Sequence, residues 1–311
     1  NLHTQVRSRV SAEPRTKRRG FEGVRFEQSG EGNPDYYKHR AEILRYAREL
    51  GMQSVYVSTG SRLDQHLLEA LVRDASFIRI SFPGIGQAYQ HYSGQNVFAF
   101  TDALEMLRRL VRERDKQGST KDLMIGARVA LRAEHSNSYS WFARTLKEIG
   151  IDSLQIVKIL VPEGRKPSDF PLTPGDIHDL ETVAILDDPT FNVSTPHGLD
   201  SMVYSREIED RTEFPEQCFS ARFQPVLAGR SLFVCTISDI MYSHNLKLGT
   251  FSGEEGELER FLSSENVAAV TRGIPINCRS CSNIYDNMLL FTLQKLFEAN
   301  PRELTFHEVI K

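Results

Sequence analysis

The chain has 311 residues, a formal net charge of −3, 40% hydrophobic residues and 25% charged residues. Those values suit a globular protein long enough for one large domain and one small one. They argue against a nucleic-acid binder, which carries a basic excess, and no apolar run is long enough to span a membrane.

Taken in chain order, strands are expected at Leu2–Val10, Val24–Gln28, Ser54–Ser58, Phe77–Ser81, Met124–Leu131 and Ser153–Leu160. Helical stripes lie between and after them. In Tyr37–Leu50 the residues Ile43, Leu44, Ala47 and Leu50 recur at helical spacing, and Leu63–Val72, Ala103–Val111, Trp141–Ile149 and Ile177–Leu186 follow the same rule. Gly51 and Gly150 stand where helices end, each just ahead of the next strand. Strands alternating with helices give an α/β fold with a parallel sheet, either a partial (β/α)6 TIM-like barrel or a doubly wound sheet.

One crossover is defective. Between the first and second strands lies only Ser11–Gly23, with no apolar stripe to cover a sheet, although a parallel crossover takes about a dozen residues and usually a helix. Its basic run, Arg15–Arg19, reads as a solvated loop. After residue 187 the pattern changes. Asp188–Gln217 reads as a connection, followed by Cys218, a hairpin-like stretch Phe223–Cys235 turning at Gly229, a short helix Leu258–Leu262, the turn Cys278-Arg-Ser-Cys281 and a last helix Asn287–Phe297. A barrel domain over 1–190 and a small α+β domain over 191–311 are therefore expected.

All four cysteines, Cys218, Cys235, Cys278 and Cys281, fall in the last third of the chain. A chain this long and this poor in cysteine is no secreted disulfide scaffold, and with no signal peptide in its first residues a cytoplasmic location is expected. A C-x2-C turn presents two thiolates to one metal centre, and a hairpin would bring Cys218 and Cys235 together. Four thiolates complete a zinc tetrahedron or the corners of a [4Fe–4S] cluster, and spacing alone leaves the two open.

The second strand runs into Ser29-Gly30-Glu31-Gly32-Asn33-Pro34, a glycine loop that lets backbone approach a ligand closely ahead of a helix start. It lacks the third glycine of a dinucleotide fingerprint. Other strands end in polar residues: Ser58-Thr59-Gly60, Ser81, then Arg132 and Glu134. Ligands of α/β folds bind at such carboxyl ends. His135, Asn137, Tyr92 and Glu134 stand near the same rim, with no assignable catalytic residue among them.

Together these pieces resemble the radical S-adenosylmethionine (SAM) superfamily with a C-terminal SPASM or twitch domain, over roughly residues 1–285. The stretch 29–34 resembles the family's Gly-Gly-Glu motif, with Asn33 in place of the usual Glu. VYVSTG resembles the third-strand ending, and RISFPG resembles the fourth-strand motif, with Ser81 retained and Pro83 in place of Asp. Arg128 stands where some members place a basic group for the cofactor carboxylate. The resemblance implies SAM contacts at Gly30, Glu31, Gly32, Asn33, Ser58, Ser81 and Arg128. Cys218, Gly229, the FVC ending at Cys235, LKLGTF and CRSC follow the SPASM/twitch order. Four cysteines imply one auxiliary [4Fe–4S] cluster, as in the twitch domain of 2-deoxy-scyllo-inosamine dehydrogenase.

The family's C-x3-C-x2-C loop, whose cluster cleaves SAM, is absent; its place is the defective crossover Ser11–Gly23. Either a segment carrying three cysteines and a second [4Fe–4S] cluster is missing between Val10 and Ser11, or this is a degenerate relative that binds a ligand or partner around a structural zinc or cluster. The first case implies a 5′-deoxyadenosyl radical that abstracts hydrogen from a small-molecule substrate (carbohydrate, aminocyclitol or nucleoside, in natural-product biosynthesis) or from a peptide. Flavodoxin or ferredoxin would serve as electron donor.

Overall fold

The structure, a computed structural model, describes residues 25–28, 34–119, 123–132, 138–160, 167–196, 203–204, 226–228, 230–233, 246–254, 256–261 and 263–271. Described residues up to Tyr204 belong to one compact unit and those from 226 onward to another. The expected strand Leu2–Val10, the crossover Ser11–Gly23 and the helix Asn287–Phe297 lie outside the described residues.

In the first unit β1 (Arg25–Gln28) leads through a short 3-10 turn (Pro34–Tyr36) to α1 (Arg40–Glu49). Then come β2 (Gln53–Ser58), α2 (Gln65–Asp74), β3 (Phe77–Phe82), α3 (Gln87–Ser93), α4 (Ala99–Gln117), β4 (Met124–Ala130), α5 (Tyr139–Ile149) and β5 (Ser153–Val157). β6 (Ile159–Leu160), α6 (Pro174–Ala184), β7 (Asn192–Ser194) and β8 (Val203–Tyr204) complete it. Local chemistry sets the boundaries. The Asp64 carboxylate accepts the Leu67 N–H at 2.7 Å and opens α2. Thr173 and Asp176 cap each other at the start of α6, with Pro174 at its first position. Gly51 and Gly150 take φ of 80° and 88° after α1 and α5, as their positions predict.

The main sheet is parallel throughout, in the order β1-β2-β3-β4-β5-β7. Sequential order decides between the two expected architectures. A doubly wound sheet reverses direction at a switch point, and this one never does. With right-handed crossovers all stepping the same way, every helix lands on one face. Accordingly Ile78, Ile80, Phe82, Ile125, Val129 and Leu154 share one buried apolar cluster with residues of α1, α2, α4, α5 and α6. This is a partial barrel; among the described residues β1 and β7 do not pair, so it is open.

Two expectations are corrected. Ser153–Leu160 is two strands, because β5 leaves the sheet at Lys158 and β6 pairs with β8 instead. Asp188–Gln217 is more than a connection, since β7 lies within it and pairs with β5. Asp188 builds the turn that delivers β7: its carboxylate accepts Lys147 Nζ at 2.6 Å and the backbone N–H groups of Thr190 and Phe191 at 2.7 and 3.0 Å. The Lys147 ammonium, with the Thr190 hydrogen bonds, holds that carboxyl well below its usual range.

In the second unit β9 (Val226–Ala228) and β10 (Ser231–Phe233) form the expected hairpin, and β11 (Lys247–Thr250) adds antiparallel to β10. α7 (Glu257–Phe261) and α8 (Ser264–Thr271) follow. A Cβ at Gly249 would collide with the Phe261 ring, so the glycine of LKLGTF is what lets α7 lie on β11.

Candidate ligand site on the inner face of the barrel

Strand parity sorts the sheet into two faces. The face away from the helices carries polar residues in register. Ser81, Arg128, Gln155 and Ser194 are paired across β3, β4, β5 and β7. One step toward the amino ends, Arg79, Gly126, Ser153 and Asn192 form a second row. Gly126 is needed there: an added Cβ would stand 2.9 Å from the Phe77 ring and 2.5 Å from Ser153 Oγ. The Phe77 ring thus lies over the Gly126 backbone as an apolar floor. One step toward the carboxyl ends, Ala130 faces Val157 and keeps the space above the polar row small-sided. Arg128 is half-buried, and among the described residues its guanidinium has no carboxylate partner. A half-buried guanidinium with no carboxylate partner among the described residues, beside a serine hydroxyl and a carboxamide, suits a carboxylate and neutral hydroxyls.

The predicted contact residues therefore divide. Ser81 and Arg128 come together in one row, whereas Ser58 faces the opposite way. Its register partner is Ile80, on the helix side. Ser58 is 3% exposed; its hydroxyl donates to the Asp35 carboxylate at 2.7 Å and accepts the Gly60 N–H at 2.7 Å. Asp35 is the residue that sequence reading missed. Buried and directly after Pro34, it also accepts Tyr56 Oη at 2.8 Å and the Arg62 N–H at 3.4 Å. It pins the segment following the glycine loop to the end of β2. Burial, and then the Asp35 charge, push the Tyr56 phenol far above its usual value. Gly30, Glu31, Gly32 and Asn33 lie outside the described residues.

The rim above the row is built from β3, α3, β4 and α5. The Arg132 guanidinium stacks on Tyr92 with its central carbon 3.5 Å from the ring centroid, and its Nε donates to the Pro83 carbonyl at 3.2 Å. Beneath it Phe82, Tyr89, Phe100 and Phe142 meet edge-on or tilted, with Phe82 and Phe142 centroids 5.0 Å apart. Tyr89 Oη donates to the Thr59 carbonyl at 3.3 Å, and burial, with help from Asp102 and Asp35, pushes its phenol up to about 12. Asp179, reaching from α6, accepts the Tyr139 and Ser140 N–H groups and so caps α5. On the far side of the rim Arg62 stacks on Tyr36 at 4.4 Å.

Cys218, Cys235, Cys278 and Cys281, with Glu134, His135 and Asn137, lie outside the described residues. Among the described residues no cluster of His, Cys, Asp and Glu suits a metal ion, and no helix is long and apolar enough to cross a membrane.

No protein-family model and no curated protein matches the chain. Solved structures do. SuiB from Streptococcus suis aligns at a TM-score of 0.52 with 12% identity, over 79% of this chain and 56% of that one. SuiB bound to S-adenosylmethionine aligns at 0.52 with 10% identity, over the same shares of the two chains. Native anSMEcpe with bound AdoMet aligns at 0.51 with 13% identity, over 91% of this chain and 77% of that one. The chain shares the partial-barrel fold of these structures. The chain spans 56% of SuiB's length.

Proposed function

We propose that this chain is a radical SAM enzyme whose cofactor lies on the inner barrel face. The observation that carries the reading is the in-register row Ser81–Arg128–Gln155, in a barrel whose fold is shared with SAM-bound SuiB. The residues fit the group. Arg128 would hold the amino-acid carboxylate as a charge-assisted pair, Ser81 and Gln155 would take neutral polar atoms, and the Phe77–Gly126 floor would limit depth. Asp35 would position the glycine loop through Ser58 and Tyr56, so Ser58 acts from behind rather than on the ligand. Bound with a reduced cluster, SAM supplies a hydrogen-abstracting carbon radical, and the protein supplies orientation and a dry pocket.

Cys218, Cys235, Cys278 and Cys281 would bind one auxiliary [4Fe–4S] cluster in a twitch/SPASM-type unit. A peptide is the favoured substrate class, because SuiB bound to the precursor peptide SuiA shares the fold at a TM-score of 0.51; a flavodoxin or ferredoxin would deliver the electron.

The radical-generating cluster does not fit the residues present. The chain has 4 cysteines, all needed for the auxiliary site, so a three-cysteine loop must enter at the short crossover before residue 24. That observation supports a second reading, a non-catalytic relative that binds SAM or a partner and keeps a structural centre. Anaerobic reconstitution separates the two. Dithionite and SAM should yield 5′-deoxyadenosine with about eight irons per chain if a second cluster is present. About four irons, bound SAM and no 5′-deoxyadenosine would establish the second reading instead.

A further inference from the structure

We propose that Arg132 is an anion-binding residue at the barrel mouth, and that the substrate presents a carboxylate or phosphate group to it. The term substrate rests on the reading above; the anion site stands on its own geometry.

Arg132 sits at the tip of β4 and is fixed at every point except one. Its backbone N–H donates to Tyr139 Oη at 2.8 Å, and the buried Tyr139 hydroxyl shares its hydrogen between the carbonyls of Ala130 and Arg132 at 3.2 and 3.3 Å. Tyr139 is held in turn by Asp179 at 2.8 Å. Further out, the guanidinium plane rests on Tyr92 and its Nε on the Pro83 carbonyl. What remains is the outer edge, Nη1 and Nη2, which have no partner among the described residues.

Arg114 shows what a purely structural arginine does in this fold. It is 6% exposed, and both of its terminal nitrogens are engaged, Nη1 with Asp152 at 2.6 Å and Nη2 with the Gly150 carbonyl at 2.9 Å. Arg132 reverses that arrangement: the inner edge and the face are held and the outer fork is left open. A rigid planar fork with two parallel N–H groups matches a carboxylate or phosphate bidentately, and its entropy cost is already met by the stack. Arg128 lies four residues earlier, on β4, at most roughly 13 Å away at about 3.3 Å per residue. Ala130 between them leaves the space clear. Two guanidiniums with no carboxylate partner among the described residues favour an anion at the mouth.

The test uses the full chain, reconstituted anaerobically and labelled with 15N-arginine. The Arg132 Nε–H signal, shifted by the Tyr92 ring, is assigned by its loss in Arg132→Lys. Inorganic phosphate and acetate are titrated separately up to tens of millimolar. A saturable shift of the Arg132 signal is expected with at least one anion, and the tighter of the two identifies phosphate or carboxylate chemistry. Read from the line broadening of the anion's own 31P or 1H signal, which needs no arginine reporter, Arg132→Lys, which keeps the charge and loses the fork, should bind that anion roughly tenfold more weakly, and Tyr92→Leu should weaken it severalfold. An unchanged Arg114 signal certifies the fold in each variant. No saturable response at Arg132, or equal affinity in Arg132→Lys, would overturn the proposal. SAM binding is measured on the same samples by equilibrium dialysis. Bound SAM with a silent Arg132 removes the anion site alone; a responsive Arg132 without SAM binding removes the cofactor reading alone.

Discussion

The barrel unit and the C-terminal unit form their cores by different means. The barrel buries one continuous cluster running from Leu44 to Phe191 and reinforces it with carboxylates that are buried but fully engaged, Asp35 and Asp179. Among its described residues the C-terminal unit buries only Leu232, Phe233, Leu246, Leu248 and Val267, with the Glu257 carboxylate gathering the Ser252 and Gly253 N–H groups at 2.8 and 3.0 Å. Small natural units often lean on a metal or disulfide staple. All four cysteines belong to the sequence of that unit. The contrast teaches where a metal centre would matter: one bound by those cysteines would add its ligation energy to the C-terminal unit, whereas the described barrel core rests on burial and engaged carboxylates.

The largest expected effect breaks the weaker unit. Replacing Cys278 and Cys281 by serine should cost the C-terminal unit most of its stability, on the order of 10 kcal/mol for structural metal sites in general. The barrel should stay folded. Hydrogen exchange read separately over 226–271 and 25–204 checks this, and unchanged exchange in the first segment would contradict it. Next comes the barrel core. Phe82→Ala empties the centre of the aromatic cluster and should cost about 3–5 kcal/mol in urea unfolding, an effect confined to the barrel's own transition.

Asp35→Ala should cost less, about 1–3 kcal/mol, because the Tyr56 and Ser58 hydroxyls lose the carboxylate they donate to. Restoring stability with Ser58→Ala in the Asp35→Ala background would confirm the pin. The smallest effect is pH-dependent. Burial works against the Glu257 charge, but its hydrogen bonds from Ser252 and Gly253 outweigh it and hold the carboxyl below its usual value. A folded-state value depressed in this way stabilises above the unfolded one and is lost as pH falls through it. The C-terminal unit should therefore loosen below about pH 4.3, and Glu257→Gln should flatten that dependence in an acid titration followed by circular dichroism.

Much of the barrel was legible because β3 separates its faces cleanly: Ile78, Ile80 and Phe82 on one parity, Arg79 and Ser81 on the other. β2 gives no such signal. Val55 and Val57 lie on one parity and Tyr56 on the other, both apolar, so nothing local says that Ser58 points toward the helices. Sheet order was not legible either, since periodicity describes each strand and not its neighbours. β7 was hidden for another reason. It is three residues long and half-exposed, and the turn that delivers it depends on Lys147, forty-one residues from Asp188. Asp35 could have been suspected from one signal, an acidic residue directly after Pro34 at the mouth of a glycine loop. Its role as a buried acceptor needs the hydroxyls of Tyr56 and Ser58, which only the fold brings to it.

The inner and outer faces of the barrel give the most direct test of the central claim. Equilibrium dialysis with labelled SAM compares the reconstituted chain with Arg128→Ala and Ser58→Ala. The account predicts that Arg128→Ala weakens binding roughly tenfold or more, the value of a charge-assisted pair, while Ser58→Ala changes it only slightly. Unchanged affinity in Arg128→Ala, with the loss falling on Ser58→Ala, would contradict it and move the cofactor off the inner face.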